Sequence, residues 1–319
     1  MSHTPPSDAG LQDFTPEYAP ILVISPVRDE ADYIELTLES MRNQRIRPAE
    51  WIIVDDGSVD ATRELVKVHA DAADFIHLVK KPDRGFRQVG SGVIEAFKYG
   101  LAQARRPDYE YIVKLDGDVS FGSHYIARML AAFERNPQLA AVSGKVFRPE
   151  AGGLEEERLG DDMVTGQFKF YRRTAFEAIG GFEQTIQWDG IDIHRCRMLG
   201  WATGNIDDPD AVVYHHRLMG SSQASIYQGR LRWGHGIYFI GYHPLYAFAS
   251  GVFRMREKPY VIGGLLIIAG YLRSTLQSRA QYPDPAFRKS LRAWQRQRLR
   301  QLLGKVVARL IPFSASRRA

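Results

Sequence analysis

Short apolar runs alternate with stretches of helical spacing along the first 135 residues of the chain. Residues 21–25 and 51–54 are apolar runs, which are typical of strands buried on both faces of a sheet. The stretches between such runs carry apolar residues at the spacing of a helix with one buried face. Four such pairs predict a parallel sheet with helices on both faces. The predicted strands are 21–25, 51–54, 76–79 and 111–115, and the predicted helices are 31–43, 59–70, 93–104 and 124–135.

This alternation ends after residue 135. Segment 149–162 is acidic, contains glycine, and is predicted to be a loop. Further strands are predicted at 140–148, 166–171 and 211–215, and further helices at 174–179 and 189–199. For the second predicted helix, Ser58 or Asp60 is the expected N-cap, because both side chains accept hydrogen bonds from the first turn.

The charge of the chain is unevenly distributed. Residues 251–319 contain 15 Lys and Arg and two acidic residues, a net charge of +13, so the preceding 250 residues carry −8. Apolar residues recur at near-helical intervals in the last part, at Phe287, Leu291, Trp294, Leu302, Val306 and Leu310. Such a segment fits a helix lying on an anionic membrane surface, nucleic-acid binding, or a helical hairpin packed on the rest of the chain. We expect the membrane surface and no nucleic acid.

Composition places further bounds on the protein. The hydrophobic fraction of 45% is that of a globular protein, and the single cysteine, Cys196, excludes an internal disulfide framework and fits a reducing compartment. The N-terminus lacks the apolar core of a signal peptide. The longest apolar stretch, 260–272, is shorter than the ~18–20 residues of a membrane span. We therefore expect a cytoplasmic protein, peripheral on the cytoplasmic face of the inner membrane.

Acidic residues follow two of the predicted strands. Asp55 and Asp56 follow the second strand, Asp116 and Asp118 follow the fourth, and Glu30 lies on the exit loop of the first. Because parallel strands end at one edge, these carboxylates should converge, where they repel one another unless a cation or ligand neutralises them. Two carboxylates in a tight turn suit a hard divalent cation that keeps positions for a diphosphate. The alternative for Asp-Gly-Asp alone is a solvated turn.

The ordered motifs of the chain resemble the family 2 glycosyltransferases, which have the GT-A fold. The resemblance covers residues 21–220, about two-thirds of the chain. The motifs are Ser-Pro-Val-Arg-Asp-Glu at 25–30, Val-Asp-Asp-Gly-Ser at 54–58, Asp-Arg-Gly at 83–85, Leu-Asp-Gly-Asp at 115–118, Gly-Gly-Phe at 180–182, and Asp189.

The resemblance implies a nucleotide-sugar site and a divalent cation, Mn²⁺ or Mg²⁺. Asp56 would hydrogen-bond the base of a UDP- or GDP-sugar, and Asp116 would reach the ribose or a metal-bound water. Asp118 would ligate the cation that bridges the diphosphate, with Asp116 and His215 as further metal candidates. Pro26, Arg28 and Glu30 would border the nucleotide pocket, Gly117 would allow the turn between the acids, and Lys114 and Arg84 would supply charge beside the phosphates.

The resemblance also implies a general base that deprotonates the acceptor hydroxyl. The family places an acidic pair after its Gly-Gly-Phe segment, where this chain has Trp188 and Asp189. Asp189 is the favoured base, and Asp192 is the second candidate because it lies on the same helix face at i+3. His215 and His216 end the last predicted strand. Since adjacent strand side chains point to opposite faces, at most one should reach the site.

The resulting hypothesis is an inverting, metal-dependent glycosyltransferase that uses a glycan or lipid-linked acceptor in cell-surface polysaccharide or glycolipid biosynthesis. The expected organisation is an N-terminal arm at 1–20, a catalytic domain at 21–240 and a basic helical extension at 241–319. The catalytic domain would comprise a nucleotide-binding half, 21–120, and an acceptor half, 121–240. The alternatives are a polyprenyl-phosphate sugar synthase and, from another class, a catalytically silent, membrane-anchored binding protein.

Overall fold

The structure is a computed structural model that describes residues 17–86, 88, 90–150, 153–217 and 225–310, with the side chains of 150 and 305–310 outside the description. Contacts divide the chain into two compact units. The first comprises Met1–Gln184 and Trp201–Arg217, and the second comprises Thr185–Gly200 and Leu218–Ala319.

The first unit is built on a ten-stranded sheet. Its strands are β1 (Glu17–Val27), β2 (Ile46–Asp55), β3 (Ile76–Lys80), β4 (Tyr111–Leu115), β5 (Val119–Phe121), β6 (Leu139–Glu150), β7 (Gly153–Glu156), β8 (Phe168–Arg172), β9 (Ala202–Ile206) and β10 (Val212–His215). The main order is β3-β2-β1-β4-β8-β6-β10-β5, and β7 and β9 also pair with β6. The helices of this unit are α1 (Ile34–Arg42), α2 (Thr62–Asp71), α3 (Ser91–Leu101), α4 (Tyr125–Arg135) and α5 (Arg173–Ala178).

The N-terminal half of the sheet confirms the predicted parallel arrangement. Strand β1 pairs in parallel with β2 and β4, and β2 pairs in parallel with β3. The register places Val27 beside Asp55, so β1 and β2 end together at one edge. The acidic residues that follow β2 and β4 are therefore carried to the same edge of the sheet.

The other half of the sheet is organised around the long strand β6. This strand pairs antiparallel with β8 and β7 and parallel with β9 and β10. Strand β8 joins the two halves, because it also pairs antiparallel with β4. The predicted loop at 149–162 is wrong in part, since it contains the end of β6 and all of β7. Strands β5 and β9 lie outside every predicted element.

Aromatic side chains fill the core of the first unit. Tyr125 on α4 stacks on Phe168 of β8 with ring centroids 4.4 Å apart, and its hydroxyl accepts a hydrogen bond from the backbone N–H of Gly144 at 2.9 Å. Trp51 of β2 is fully buried, and its indole N–H donates to the Ser25 hydroxyl at 2.9 Å. Burying a side chain of this size contributes about 1.5–3 kcal/mol, so these contacts fix α4 and the strands together.

The expected N-cap of α2 is wrong for Ser58 and correct in part for Asp60, whose carboxylate accepts from the backbone N–H of Thr62, the first residue of the helix, at 3.0 Å. The N-cap position is Ala61, which has no side-chain hydrogen bond to offer. Ser58 instead accepts from the backbone N–H of Asp29, and Asp60 accepts from that of Ala31. Both side chains therefore connect the start of α2 with the loop that leaves β1. Local sequence propensity does not predict such a long-range contact.

The second unit is helical and contains α6 (Trp188–Met198), α7 (Ile226–Phe239), α8 (Pro244–Phe253), α9 (Ile262–Leu276) and α10 (Pro285–Leu310). Phe287 and Leu291 of α10 are buried with Ile191 of α6 and Ile240. These two α10 residues are therefore part of the core. They do not form the free membrane face that the sequence analysis expected, and their burial fits its alternative of a packed helical hairpin. The side chains of Val306 and Leu310 lie outside the described residues, and no described helix combines the length and hydropathy of a membrane span.

His194 of α6 is buried between aromatic residues of α10. Its ring lies 5.0 Å from that of Phe287 and 6.4 Å from that of Trp294, and neither ring nitrogen has a hydrogen-bond partner among the described residues. Burial, followed by the positive charge of Arg197, lowers the pKa of His194 from 6.5 to about 4. The neutral form is therefore the one that the fold accommodates.

We expect stability to fall as the pH drops from 6.5 towards 4. The unfolded chain binds the His194 proton at higher pH than the folded chain does, so acid favours unfolding in this window, by on the order of 3 kcal/mol. Above pH 6.5 the histidine is neutral in both states and contributes no slope. His194→Leu should flatten the dependence of unfolding midpoints measured by tryptophan fluorescence. If the unfolding midpoint depends equally on pH in wild type and variant, His194 is not the group responsible for the acid-induced loss of stability.

Candidate active site

The first acidic position of the site is Asp56, at the end of β2. Its carboxylate is buried and accepts from Lys81 Nζ at 3.1 Å and from Arg84 Nη2 at 2.9 Å. Glu95 on α3 pairs with the same two cations, at 2.7 Å from Lys81 and 3.2 Å from Arg84. Asp56 is therefore oriented by ion pairs with two cations, within a network of four charged residues.

The loop after Asp56 depends on a glycine. Gly57 has φ +87°, and a Cβ built there would lie 2.4 Å from an oxygen of Asp83. Asp83 accepts from Arg28 Nη1 at 2.9 Å, and the same nitrogen donates to the backbone carbonyl of Asp56 at 2.7 Å. Arg28 thus links the exit loop of β1 to both motifs, and any residue larger than glycine at position 57 would disturb that link.

The second acidic position lies where β4 ends. Asp116 forms an ion pair with Lys114, whose Nζ also donates to the Gly166 carbonyl at 2.8 Å. Burial raises the pKa of Asp116 above its ordinary value, Lys114 acts against that increase, and the charge of Asp118 adds to it. At Gly117 a Cβ would lie 3.0 Å from side-chain carbons of Ile34 and Val27, so the acidic turn is packed closely against β1 and α1.

Asp118 is the centre of a buried ionic cluster. Nε2 of His215, on β10, lies 3.6 Å from its Oδ2, and Nδ1 of the same ring lies 3.0 Å from Oε1 of Glu157. The other oxygen of Glu157 accepts from Gln167 at 3.0 Å. The chain of contacts fixes the orientation of the His215 ring and presents Nε2 to Asp118.

Charges in this cluster reinforce one another. Burial opposes ionisation of Asp118, but the attraction of the His215 ring, followed by the charge of Arg217, lowers the pKa of Asp118. Burial likewise opposes protonation of His215, whereas Asp118 and Glu157 outweigh it and raise the pKa of His215 to about 10. His215 is therefore an imidazolium at neutral pH, positioned between two carboxylates.

Arg217 connects Glu30, on the loop after β1, with Asp118, on the turn after β4. Its Nη2 donates to Glu30 Oε2 at 2.5 Å, its Nε lies 3.5 Å from Asp118 Oδ2, and its guanidinium lies 5.5 Å above the Tyr33 ring. Glu30 belongs to the same exit loop as Arg28, which contacts Asp56. Acids that follow β1 and β4 therefore share the Arg217 guanidinium, and the same loop after β1 contacts the backbone of Asp56 through Arg28.

The two histidines at the end of β10 turn to different partners. His215 faces Asp118, whereas the Nε2 of His216 lies 2.8 Å from the Ser120 hydroxyl and its ring stacks on Tyr33 with centroids 6.2 Å apart. This is the division that opposite-facing side chains on a strand require. Of the pair, His215 is the one that can reach a ligand of Asp118.

The donor set at Asp118 is chemically suited to a divalent cation. Nε2 of His215 and Oδ2 of Asp118 are 3.6 Å apart, longer than a hydrogen bond, and Glu157 takes up the other ring nitrogen in the way that carboxylates orient metal-binding histidines. A bound cation would replace the positive charge of the His215 proton. Within the described ranges, no group of three or more His, Cys, Asp and Glu residues has metal-binding geometry.

The predicted bases, Asp189 and Asp192, lie on α6 in the second unit. Asp189 is exposed in the first turn, where the helix dipole stabilises a carboxylate. Asp192 is buried, and its carboxylate accepts from the backbone N–H of Ile193 at 2.7 Å. Asp189 is therefore the more accessible of the two carboxylates.

Several residues of the site were missed by the sequence analysis, namely Lys81, Glu95, Glu157 and Arg217. Glu157 lies in the segment predicted to be a loop, and Lys81 and Glu95 carried no motif. Each meets its partner only through the fold: Arg217 and Glu30 are 187 residues apart in sequence. The pairing of these residues with buried partners appears once the sheet order is known.

Comparisons with known proteins agree with this architecture. The sequence profile described as "Glycosyl transferase family 2" matches residues 22–185. A mannosyltransferase from Pyrobaculum calidifontis, solved in complex with GDP-Man and Mn²⁺, superposes with a TM-score of 0.51 and 17% identity over 89% of this chain and 87% of its own. The likeness in structure confirms the predicted GT-A fold.

Two similar sequences are poly-β-1,6-N-acetyl-D-glucosamine synthases. The protein from Staphylococcus epidermidis is 24% identical over 232 residues, 65% of this chain and 52% of that protein. The protein from Staphylococcus aureus (strain MSSA476) is 32% identical over 116 residues, 36% of this chain and 26% of that protein. The chain thus spans about a quarter to about half the length of these relatives.

Proposed function

Because the chain belongs to glycosyl transferase family 2, we propose that it transfers a sugar from a nucleotide diphosphate-sugar to a glycan or lipid-linked acceptor, with inversion at the anomeric carbon. The family confirms the predicted class of enzyme. The observation that supports the proposal most directly is the ionic cluster of Asp118, His215 and Glu157 at the edge where β2 and β4 also end.

Asp56 and its network would bind the nucleoside. The carboxylate is held by Lys81 and Arg84 and would accept a hydrogen bond from a base N–H. Uracil and guanine both offer such an N–H, so this contact alone does not choose between UDP- and GDP-sugars. Pro26 lies near the end of β1, and Arg28 and Glu30 lie on the loop that follows, where Arg28 holds the backbone of Asp56 in place.

Asp118 and His215 would hold Mn²⁺ or Mg²⁺, with Asp116 reaching the ribose or a metal-bound water. Such a cation neutralises the charge that develops on a diphosphate leaving group. Lys114 keeps the Asp116 carboxylate in position, and Arg217 fixes Glu30 and Asp118. Asp189 would accept the proton of the acceptor hydroxyl as that oxygen attacks the anomeric carbon.

A donor screen tests the proposal. The chain is incubated with UDP-glucose, UDP-N-acetylglucosamine or GDP-mannose, with Mn²⁺, Mg²⁺ or a chelator, and release of nucleoside diphosphate is measured. We expect release from one nucleotide class that depends on the cation. Release of pyrophosphate would indicate a nucleotidyltransferase, and absence of both nucleotide binding and release would favour a silent binding protein.

A second measurement separates the lipid product from the glycan product. Labelled sugar that partitions into organic solvent with an added polyprenyl phosphate would favour the polyprenyl-phosphate sugar synthase. Label retained in a water-soluble or precipitated glycan would favour polysaccharide synthesis, the activity carried in the names of the staphylococcal relatives.

Glu157→Gln should weaken binding of Mn²⁺ about 10- to 100-fold, since carboxylates that orient a ligating histidine have effects of that size. The glutamine keeps the volume but loses the charge that faces Nδ1 of His215. Isothermal titration with Mn²⁺ in the presence of UDP or GDP measures the affinity. Glu177→Gln, which removes an exposed carboxylate of α5 that pairs with Arg173, is the matched control. Equal Mn²⁺ affinity of both variants would remove His215 from the cation site.

A further inference from the structure

The second unit exposes large apolar side chains along α8, the following turn and α9. Of the 21 exposed large hydrophobic residues among the described positions, ten lie between residues 245 and 276, so the exposure is concentrated. We call these ten residues the apolar band: Leu245, Phe248, Val252, Phe253, Tyr260, Val261, Ile262, Leu265, Leu272 and Leu276. Scattered exposed apolar residues are ordinary, whereas a contiguous group of this size marks an interaction surface.

The two helices that carry the band touch through glycine. A Cβ on Gly264 would lie 2.3 Å from the carbonyl oxygen of Gly251, so the backbones of α8 and α9 meet at this point. Phe248 and Val252 lie within one turn of Gly251, and Leu265 follows Gly264 directly. Phe248, Val252 and Leu265 are thus grouped around this crossing, and Leu272 and Leu276 lie further along α9.

The opposite side of α9 is already occupied. It crosses α7 at a second glycine pair, where a Cβ on Gly234 would lie 2.1 Å from the Ile267 carbonyl and one on Gly270 would lie 2.2 Å from the Leu231 carbonyl. Ile267 and Tyr271 are buried with Ile237 and Tyr238. Because α9 is packed against α7 on that side, its orientation is fixed. The apolar side chains on its other face are therefore surface residues and not core residues that have moved out.

Positive charge borders the apolar band. Residues 244–279 contain five Lys and Arg, namely Arg254, Arg256, Lys258, Arg273 and Arg279, and the single acid Glu257, a net charge of +4. The guanidinium of Arg256 lies 4.5 Å above the Phe253 ring, which brings cation and apolar surface together in one turn. Glu257 is paired with Arg254 and Arg230.

The positive charge distinguishes between two possible partners of the apolar band, a second copy of the chain and an anionic bilayer. A second copy of the chain, docked through the same face, would bring +4 against +4. An anionic bilayer offers acyl chains to the apolar residues and phosphates to the cations, which is the arrangement of interfacial helices. We propose that the apolar band and its bordering cations form a docking surface for an anionic phospholipid bilayer. The proposal stands independently of the glycosyl-transfer reaction.

The surface differs from the one predicted from sequence. The prediction assigned membrane contact to the extension 241–319, which contains α8 and α9, and it stressed the spacing of apolar residues in the last helix, of which Phe287 and Leu291 are buried in the second unit. The exposed residues lie instead on α8 and α9, whose sequence has apolar residues on nearly every side. Periodicity therefore did not reveal which face would remain free.

Vesicle flotation of the full chain tests the proposal. We expect binding to vesicles of phosphatidylcholine and phosphatidylglycerol, and weaker binding to phosphatidylcholine alone. The double variant Phe248→Ser with Leu265→Ser should lower the partition coefficient about 100-fold, roughly tenfold for each apolar side chain that leaves the interface. Arg256→Gln with Lys258→Gln should lower it about 20- to 30-fold on anionic vesicles, about fivefold for each charge.

The matched control is Val68→Ser with Leu199→Ser, which removes two exposed apolar side chains outside the apolar band. It should bind vesicles as wild type does. Circular dichroism confirms folding, and the charge variant decides the question if the apolar variant unfolds. The proposal is overturned if wild type does not bind anionic vesicles, if both band variants bind like wild type, or if wild type is a dimer that Phe248→Ser disrupts without vesicle binding.

Discussion

Replacing Asp118 with asparagine should lower kcat for release of nucleoside diphosphate by about a thousandfold or more. The substitution keeps the size of the side chain and removes the charge that faces both His215 and Arg217. Charge stabilisation at a metal-assisted leaving group amounts to several kcal/mol, and each 1.4 kcal/mol is about tenfold in rate. Steady-state kinetics on the donor identified by the screen, at saturating Mn²⁺, measure the loss.

The control for this variant is Asp210→Asn, which removes an exposed carboxylate of the same unit that pairs with Arg128. It should retain wild-type turnover. Two measurements separate the two possible roles of Asp118. If Asp118 is a metal ligand, its loss weakens Mn²⁺ binding in a titration. If it is only a charge partner of His215, its loss lowers the melting temperature and leaves Mn²⁺ binding unchanged. An Asp118→Asn enzyme with kcat within tenfold of wild type would exclude the proposed cation site.

Replacing Asp189 with asparagine should lower kcat about 10²- to 10⁴-fold, the range for loss of a general base. Binding of UDP or GDP should remain unchanged, because the residues assigned to the nucleotide lie in the first unit. The pH profile gives an independent signature. Wild-type activity should fall as the base is protonated at acidic pH, and the variant should lose that limb.

Asp192→Asn is the informative comparison, since both acids lie on α6 within three residues. Asp192 is buried and bonded to the backbone, so its substitution should reduce the melting temperature more than kcat. The opposite outcome, in which Asp192→Asn loses turnover with an unchanged melting temperature and Asp189→Asn keeps it, would transfer the role of base to Asp192.

The part of the fold that was predictable is the part made from local alternation. Strands β1 to β4 and the helices between them follow one another in sequence, and β1, β2 and β3 pair with their sequence neighbours, whereas β4 pairs with β1 and β8. Strand β4 was predicted with the bounds that the structure shows, Tyr111–Leu115. A strand buried on both faces needs a continuous apolar run, which single-sequence reading detects well.

The second half of the sheet was harder to predict for a physical reason. Strand β5 has only three residues, and β9, Ala202–Ile206, contains glycine and asparagine, which have low strand propensity. Both are strands because they pair with partners far away in sequence, β5 with β10 and β9 with β6. Tertiary pairing overrode the local preference.

The site shows the same division. Motifs marked Asp56, Asp116 and Asp118, because acids that follow strands are visible in a sequence. The residues that hold them in place, such as Lys81 for Asp56 and Glu157 for His215, carried no local signal. Charge partners are chosen by the folded sheet, so their identification required the structure.

The pairing of β6 has a consequence for how the protein folds during its synthesis. Its partners β8, β9 and β10 leave the ribosome after it, and β10 ends at His215, 65 residues beyond the end of β6 at Glu150. At translation rates of about 5–20 residues per second, the strand waits about 3–13 s for its last partner. During that interval its apolar residues are a ready target for chaperones, so slow codons between β6 and β10 should raise the fraction of newly made protein that aggregates.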